Sequence, residues 1–275
     1  MSINPISKKS QMSSNQVFNK LGEPVPNNLY KYKSDFNHLG QILDHSKLFV
    51  PTPHKLNDPF DVRFRFTKEE VRKLRVEDEK VHEHKFAPDW NKMLDDDAPG
   101  GGNEIMQETL FKTMNKIQQD MIAIFSMADS PDNKLLWGYY ANGYSGYCLE
   151  FDFSHEEQHS QYIFKVDYNF KEDMIEASSF SDLSNPLNYV QPFRIKNEIW
   201  DREGEYRLIV ANPDEKFDHC FAPIQKQTLK SIYFGYKVEQ KLIDEIKYFA
   251  VEKGFTFTKY FQYDLTNKGM KLKEV

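Results

Sequence analysis

Apolar residues along the chain alternate with polar ones in several short runs, the period of half-buried strands, and recur at helical spacing in a few longer stretches. The alternating runs lie at 28–33 (NLYKYK), 62–66 (VRFRF), 146–153 (GYCLEFDF), 162–170 (YIFKVDYNF), 205–210 (EYRLIV), 231–236 (SIYFGY) and 255–260 (FTFTKY). KLFVPTP at 47–53 reads as extended chain stopped by its prolines. Helical spacing predicts a helix capped by Asp35 that carries Leu39, Ile42 and Leu43 on one face. Further helices are predicted from a Thr67/Glu70 capping box to about 86, over 105–125, from Ser130-Pro131 to about Asn142-Gly143, and over 239–253 with Gly254 as the stop. NDPFD at 57–61 is a turn, and DDDAPGGGN at 95–103 is the clearest loop.

Strands outnumber helices and do not alternate with them strictly, so the expected fold is α+β with a mixed or antiparallel strand-rich core and flanking helices. Residues 67–125 are expected to form a helical insertion over that core. The polar stretch 1–27 reads as a flexible arm, leaving 28–275 as one domain. A chain of 275 residues buries a core without staples. An aromatic content of 15%, mostly Phe and Tyr, suits packing on a pleated surface.

Charge and cysteines narrow the classes. A net charge of −6 argues against a broad basic face for duplex nucleic acid, though not against a local basic groove. Two distant cysteines, Cys148 and Cys220, offer no disulfide framework, and the N-terminal residues lack the apolar run of a signal peptide. No window is apolar enough for a membrane span. The expectation is a cytoplasmic protein without a membrane partner.

Five segments in order carry a family resemblance: LYKYK at 29–33, KLFVPTPHKLNDPFD at 47–61, FSMADSPDNKLLWGYYANGYSGYCLEFD at 125–152, WDREGEYRLIV at 200–210 and IYFGYKV at 232–238. Together they resemble the bacterial family called domain of unknown function 2971, whose name carries no activity. A second resemblance is to ADP-ribosyltransferases, which place a basic residue on an early strand and a glutamate, often in a Glu-x-Glu pair, at the start of a later one. That resemblance implies an ADP-ribosyltransferase-like fold and NAD as a substrate, in a toxin or phage-defence setting. Glu203 and Glu205 would be the catalytic pair, Lys31 the basic residue, and Ser126 or an aromatic of 137–147 the middle element. Lysine stands here where the usual residue is arginine or histidine.

Read from the residues themselves, Glu203, Glu205 and Arg207 would share one strand face, opposite Tyr206, Leu208 and Val210. Such a face either lines a polar cleft or is solvated and paired to its neighbours. In a cleft, its carboxylates would oppose the positive charge that builds when a nicotinamide–ribose bond breaks. Lys31 and Lys33, alternating with Tyr30 and Tyr32, would hold a pyrophosphate or guard a sheet edge. Asn57, Asp58 and Asp61 are turn formers that could frame a site wall. Trp137 and Tyr140 belong to an aromatic group that is partly core and partly free to stack on a base. The nucleotide-contacting set is therefore Lys31, Tyr32, Lys33, Asn57, Asp58, Trp137, Tyr140 and Arg207. His155-Glu156-Glu157-Gln158-His159 matches the zinc-protease spacing, but the stretch is short, wholly polar and followed at once by a strand. It reads as an exposed connection, and no metal is assigned. Three classes stay open: an NAD-directed transferase with a protein or nucleic-acid acceptor, a carboxylate-rich metal-dependent hydrolase, and a non-catalytic binding module.

Overall fold

A computed structural model describes residues 16–65, 108, 112, 120, 122–170, 175–176, 190–212 and 217–275. The strands are β1 (Val17–Phe18), β2 (Pro24–Val25), β3 (Leu29–Lys33), β4 (Lys47–Pro51), β5 (Phe64–Arg65), β6 (Ile122–Ala128), β7 (Tyr147–Phe151) and β8 (Ile163–Lys165). They continue with β9 (Asp167–Phe170), β10 (Ile175–Glu176), β11 (Ile195–Asn197), β12 (Glu205–Ala211), β13 (His219–Pro223), β14 (Leu229–Phe234), β15 (Lys259–Thr266) and β16 (Gly269–Glu274). The α-helices are α1 (Phe36–His45), α2 (Lys134–Tyr139), α3 (Glu157–Ser160) and α4 (Gln240–Glu252).

Eight strands form one sheet in the order β16-β15-β14-β7-β3-β6-β12-β8. Every pairing in it is antiparallel except β14 with β15, which α4 connects. The fold is thus α+β with a mostly antiparallel sheet. Leu39, Ile42 and Leu43 of α1, Ile243 and Ala250 of α4, and Leu48 and Val50 of β4 pack with Leu29, Phe125, Leu149 and Phe151 into the main core. A second cluster joins Tyr30, Tyr32, Trp137 and Tyr233. A third joins Val62, Ile124, Phe164, Phe193 and Ile209. Among the described residues, no helix is long and apolar enough to cross a membrane.

The predicted Asp35 cap is present, its carboxylate accepting from Asn37 N, and α4 stops at Gly254 in the left-handed region. Several boundaries differ. Residues 16–27, expected in a flexible arm, hold the β1–β2 pair, and Val25 is buried in the core. The helix expected over 105–125 is helical at residues 108, 112 and 120, but the chain is already in β6 from Ile122. IAIFSMA is nearly continuous in apolar side chains because both faces of a central strand are covered, and such a run has no period to read. The helix expected at Ser130 starts three residues later, since Asn133, not Ser130, accepts from Leu135 N and Leu136 N. The strand expected from 62 starts only at Phe64 of β5, because Val62 sits at φ 59, a conformation β-branched residues rarely adopt, and residue 66 lies outside the described residues. The strand expected at 255–260 begins only at Lys259, and β13 and β16 were not anticipated. The helix expected from Thr67 and the loop at 95–103 lie outside the described residues.

Candidate functional site

β3 is flanked unequally. On one side all five of its residues pair with β7, while on the other only Tyr30 pairs, with Ala128 of β6. β6 in turn pairs along all seven residues with β12. The sheet therefore splits between two of its central strands. Lys31 Nζ donates to Ser126 O at 2.6 Å, so a side chain rather than a strand partner serves that carbonyl. A cavity of about 150 Å³ opens at the split, lined by residues 30–33 of β3, Ser126 and Ala128 of β6, the turn at 55–58, Asp61, Tyr140, Lys196, Trp200, Glu203 and Glu205. Distant segments meet here because β3 and β6 sit side by side in the sheet while the 53–61 and 190–205 connections fold over their gap.

The acidic wall is organised by two buried cations. Arg207 is fully buried, with Nε 2.8 Å from Glu205 Oε1, Nη1 3.0 Å from Asp61 Oδ1 and 2.9 Å from Phe193 O, and Nη2 2.5 Å from Asp61 Oδ2 and 3.2 Å from Glu205 Oε2. This is the two-pronged geometry for which a guanidinium is built. Lys196 Nζ lies 2.6 Å from Glu203 Oε2, 3.0 Å from Glu205 Oε2 and 3.9 Å from Asp61 Oδ2, with its charge 5.1 Å from the Trp200 ring centroid. Glu203 Oε1 accepts from the Tyr140 hydroxyl at 2.8 Å, and Asp58 Oδ2 accepts from Trp200 Nε1 at 2.8 Å.

Placement of these groups has local causes. Glu203 ends a 3-10 turn (Glu198–Glu203), and Gly204 follows in the left-handed region before β12 begins. A Cβ on Gly204 would come within 2.5 Å of Asp129 Oδ1, so only glycine lets the turn sit against β6. Asp61 precedes the strained Val62, which is buried in the third cluster and turns the chain towards Arg207. Asp58 Oδ1 accepts from Phe60 N, the expected Asx turn.

Titration follows from this burial. Desolvation alone would raise Glu205, but Arg207 and Lys196 beside it outweigh that and hold the carboxyl well below its usual range. Desolvation works against Lys196 too, yet Glu205, Asp61 and Glu203 keep its pKa above the ordinary lysine value. Lys31 is the opposite case. Burial, with Lys33 adding repulsion, pushes its amine down to about 7 in spite of Glu205 and Glu203. Burial and the Glu203 carboxylate raise the Tyr140 phenol well above its usual value.

Of the residues singled out in the sequence, Lys31, Tyr32, Lys33, Asn57, Asp58, Tyr140, Glu203 and Glu205 line this one cavity. Trp137 does not. It is fully buried, its Nε1 donates to Pro131 O, and its ring stacks on Tyr144 at 4.9 Å, so it is core rather than a surface for a base. Arg207 does not line the cavity either, because its guanidinium is enclosed by Asp61, Glu205 and Phe193 O behind the wall. Glu205 and Arg207 share a strand face as expected, but that face is buried rather than solvated. The lysines of β3 guard no edge, since β3 is central. The 155–159 stretch connects two strands and is exposed at His155, Glu157 and Gln158, as expected, but not at its other two residues. Glu156 is buried and accepts from Gln225 N and Thr228 Oγ1, and His159 Nε2 lies 2.6 Å from Pro223 O.

Lys196, Trp200 and Tyr168, whose hydroxyl accepts from Glu205 N at 2.9 Å, were missed. Lys196 and Trp200 sit in a three-residue strand and a 3-10 turn too short to show a period, and Tyr168 lies in the expected 162–170 run, where nothing marks one tyrosine as facing the site. Among the described residues, no group of three or more His, Cys, Asp and Glu is arranged to hold a metal ion. Of the carboxylates that a metal-dependent hydrolase would use, Asp61, Glu203 and Glu205 are directed at Lys196 and Arg207, and Asp58 accepts from Trp200 Nε1 and Phe60 N. No family model, curated protein or solved structure matches the chain.

Proposed function

We propose that the cavity at the sheet split binds a nucleotide and cleaves its N-glycosidic bond, with NAD as the substrate. What supports this reading is one observation: an amine, a phenol and two carboxylates from three distant segments (Lys31, Tyr140, and Glu203 with Glu205) converge on one concave wall. At about 150 Å³ the space is below the ~300–1,000 Å³ that encloses a drug-sized ligand, so it would take the reacting end of a dinucleotide and not the whole.

In this reading the C1′–N bond to nicotinamide breaks, its electron pair leaves with neutral nicotinamide, and an oxocarbenium centre remains on the ribose. Glu203 is the carboxylate that faces this charge, because it lines the cavity and its partners Tyr140 and Lys196 hold it in one rotamer. Glu205, tied to Arg207 and Lys196, is a positioning residue that fixes Lys196. An acceptor nucleophile from protein, nucleic acid or water then attacks C1′ and loses its proton to solvent. The order of importance is thus Glu203 before Glu205.

Calorimetric titration with NAD and mass spectrometry for released nicotinamide test the proposal. Nicotinamide release should fall by ~10²-fold or more in Glu203→Gln, with NAD affinity changed far less. No binding at millimolar NAD, together with no nicotinamide, would remove the reading.

A further inference from the structure

Lys31 and Lys33 also line a second cavity, of about 320 Å³, on the α1 side of the sheet. Its remaining charged or imidazole groups are His38 and His45 of α1 and Lys47 of β4, and no carboxylate is among its described lining residues. Among the described residues, the Lys33 and Lys47 ammonium groups have no hydrogen-bond or ion-pair partner, although Lys33 is half-buried. Two carboxylates neighbour the hollow on the histidine side: Asp35 caps α1 and sits 3.2 Å from His38 Nδ1, and Asp44 pairs with Lys253 at 2.5 Å and lies 3.5 Å from His45 Nε2, while neither pairs with Lys33 or Lys47. An ammonium withdrawn from water without an anion costs free energy that a bound anion would recover. Burial accordingly lowers the Lys33 amine, with only Asp35 opposing.

Aromatic rings border this basic hollow. Phe49 and Phe221 line it, Phe49 stacks on His219 at 4.7 Å, and Phe221 meets His219 edge-on at 5.2 Å. Phe221 is 52% exposed, so one face of its ring is open to a flat partner. These rings are fixed by the β4–β13 pairing, in which Phe221 stands opposite Phe49. The volume falls within the ~300–1,000 Å³ typical of small-ligand sites, which favours a compact ligand over a polymer.

We propose that this second cavity binds a nucleoside phosphate, its phosphates among Lys33, Lys47, His38 and His45 and its base against Phe221. The site does not rest on the glycosidic chemistry of the first cavity.

Titration of the full chain at low ionic strength with ADP, pyrophosphate and adenosine tests it. ADP should bind more tightly than pyrophosphate, and adenosine far more weakly than either. Lys47→Ala, at an exposed position that folding tolerates, should weaken ADP and pyrophosphate about tenfold each. Phe221→Ala should weaken ADP and leave pyrophosphate unchanged, separating the ring from the anion. Trp200→Ala, which removes a ring that lines the first cavity and not the second, should change none of these affinities, so that failure of one site is distinguishable from failure of the other. The proposal is overturned if neither ADP nor pyrophosphate binds at millimolar concentration. It is equally overturned if binding survives both Lys47→Ala and His38→Ala, or is lost in Trp200→Ala alone. A single-stranded oligonucleotide that binds far more tightly than ADP and is sensitive to Lys47→Ala would reassign the surface to nucleic acid, against this proposal.

Discussion

Arg207→Met is the sharpest test of how the acidic wall is held. The substitution removes a fully buried guanidinium that serves Asp61, Glu205 and Phe193 O and leaves two buried carboxylates behind. Breaking a buried pair by removing one partner costs roughly 3–5 kcal/mol, because the other charge stays buried and uncompensated. Lys196, 3.0 Å from Glu205 and 3.9 Å from Asp61, offsets part of this, which places the expectation near the lower end, about 3 kcal/mol. Against a total stability of ~5–15 kcal/mol, the variant still folds and the loss is measurable. Urea unfolding at pH 7, followed by far-UV circular dichroism, gives the number. The triple variant Arg207→Met/Asp61→Asn/Glu205→Gln should recover most of the loss, since neutral side chains of the same shape need no counter-ion. The pH dependence has a definite sign. Glu205 has a lowered pKa when folded, so its contribution is present above the unfolded value of ~4.3 and is lost as pH falls through the folded value. The gap between wild type and Arg207→Met should therefore narrow below about pH 4.3. A loss under ~1 kcal/mol at pH 7, or a triple variant no more stable than the single one, would refute the idea that these carboxylates depend on Arg207.

Three further outcomes follow from the same geometry. Gly204→Ala should cost about 1–2 kcal/mol of stability in urea unfolding, since it puts a Cβ at φ 56 and against Asp129; a neutral result would mean the turn can shift. The Lys31 amine, lowered to about 7, is neutral in the folded chain over a range where the unfolded chain still carries the proton. Wild-type stability relative to Lys31→Met should consequently rise between pH 7 and pH 9, and a flat difference would contradict the lowered value. Glu156→Ala leaves Gln225 N and Thr228 Oγ1 without their acceptor and should cost about 2 kcal/mol, with no effect on ligand binding in either cavity.

Much of the sheet was legible because strand faces that differ in polarity leave a period. LYKYK alternates, and Tyr30 and Tyr32 do face a different core from Leu29. β6 was illegible for the opposite reason, since Ile122–Ala128 is covered on both faces and shows no alternation. The ion-pair cluster was half legible. Glu205 and Arg207, two apart on a strand, had to share a face, but whether water or protein covers that face depends on residues 190–203, which carry no periodic signal. Lys196 is part of that cover and looked like any polar loop residue. Trp137 misled because an aromatic among aromatics reads the same whether it stacks on a ligand or on Tyr144.

The charges around the first cavity add up in a way that singles out one proton. Asp61, Glu203 and Glu205 face Lys196 and Arg207, three carboxylates against two cations. Both cations are held above their ordinary values, so neither releases a proton near neutrality. Lys31 is differently placed: it touches a backbone carbonyl and the Phe125 ring instead of a carboxylate, and its amine is lowered to about 7. Its protonation therefore changes the net charge of the wall by one near neutral pH. An anionic ligand arriving from either cavity would favour the ammonium form, because Lys31 lines both. A fixed acidic wall with a single variable cation beside it ties ligand charge to proton uptake. Nucleotide binding measured in two buffers of different ionisation enthalpy should then show proton uptake above pH 7 that disappears in Lys31→Met. Equal enthalpies in both buffers for the wild-type chain would leave Lys31 no such role.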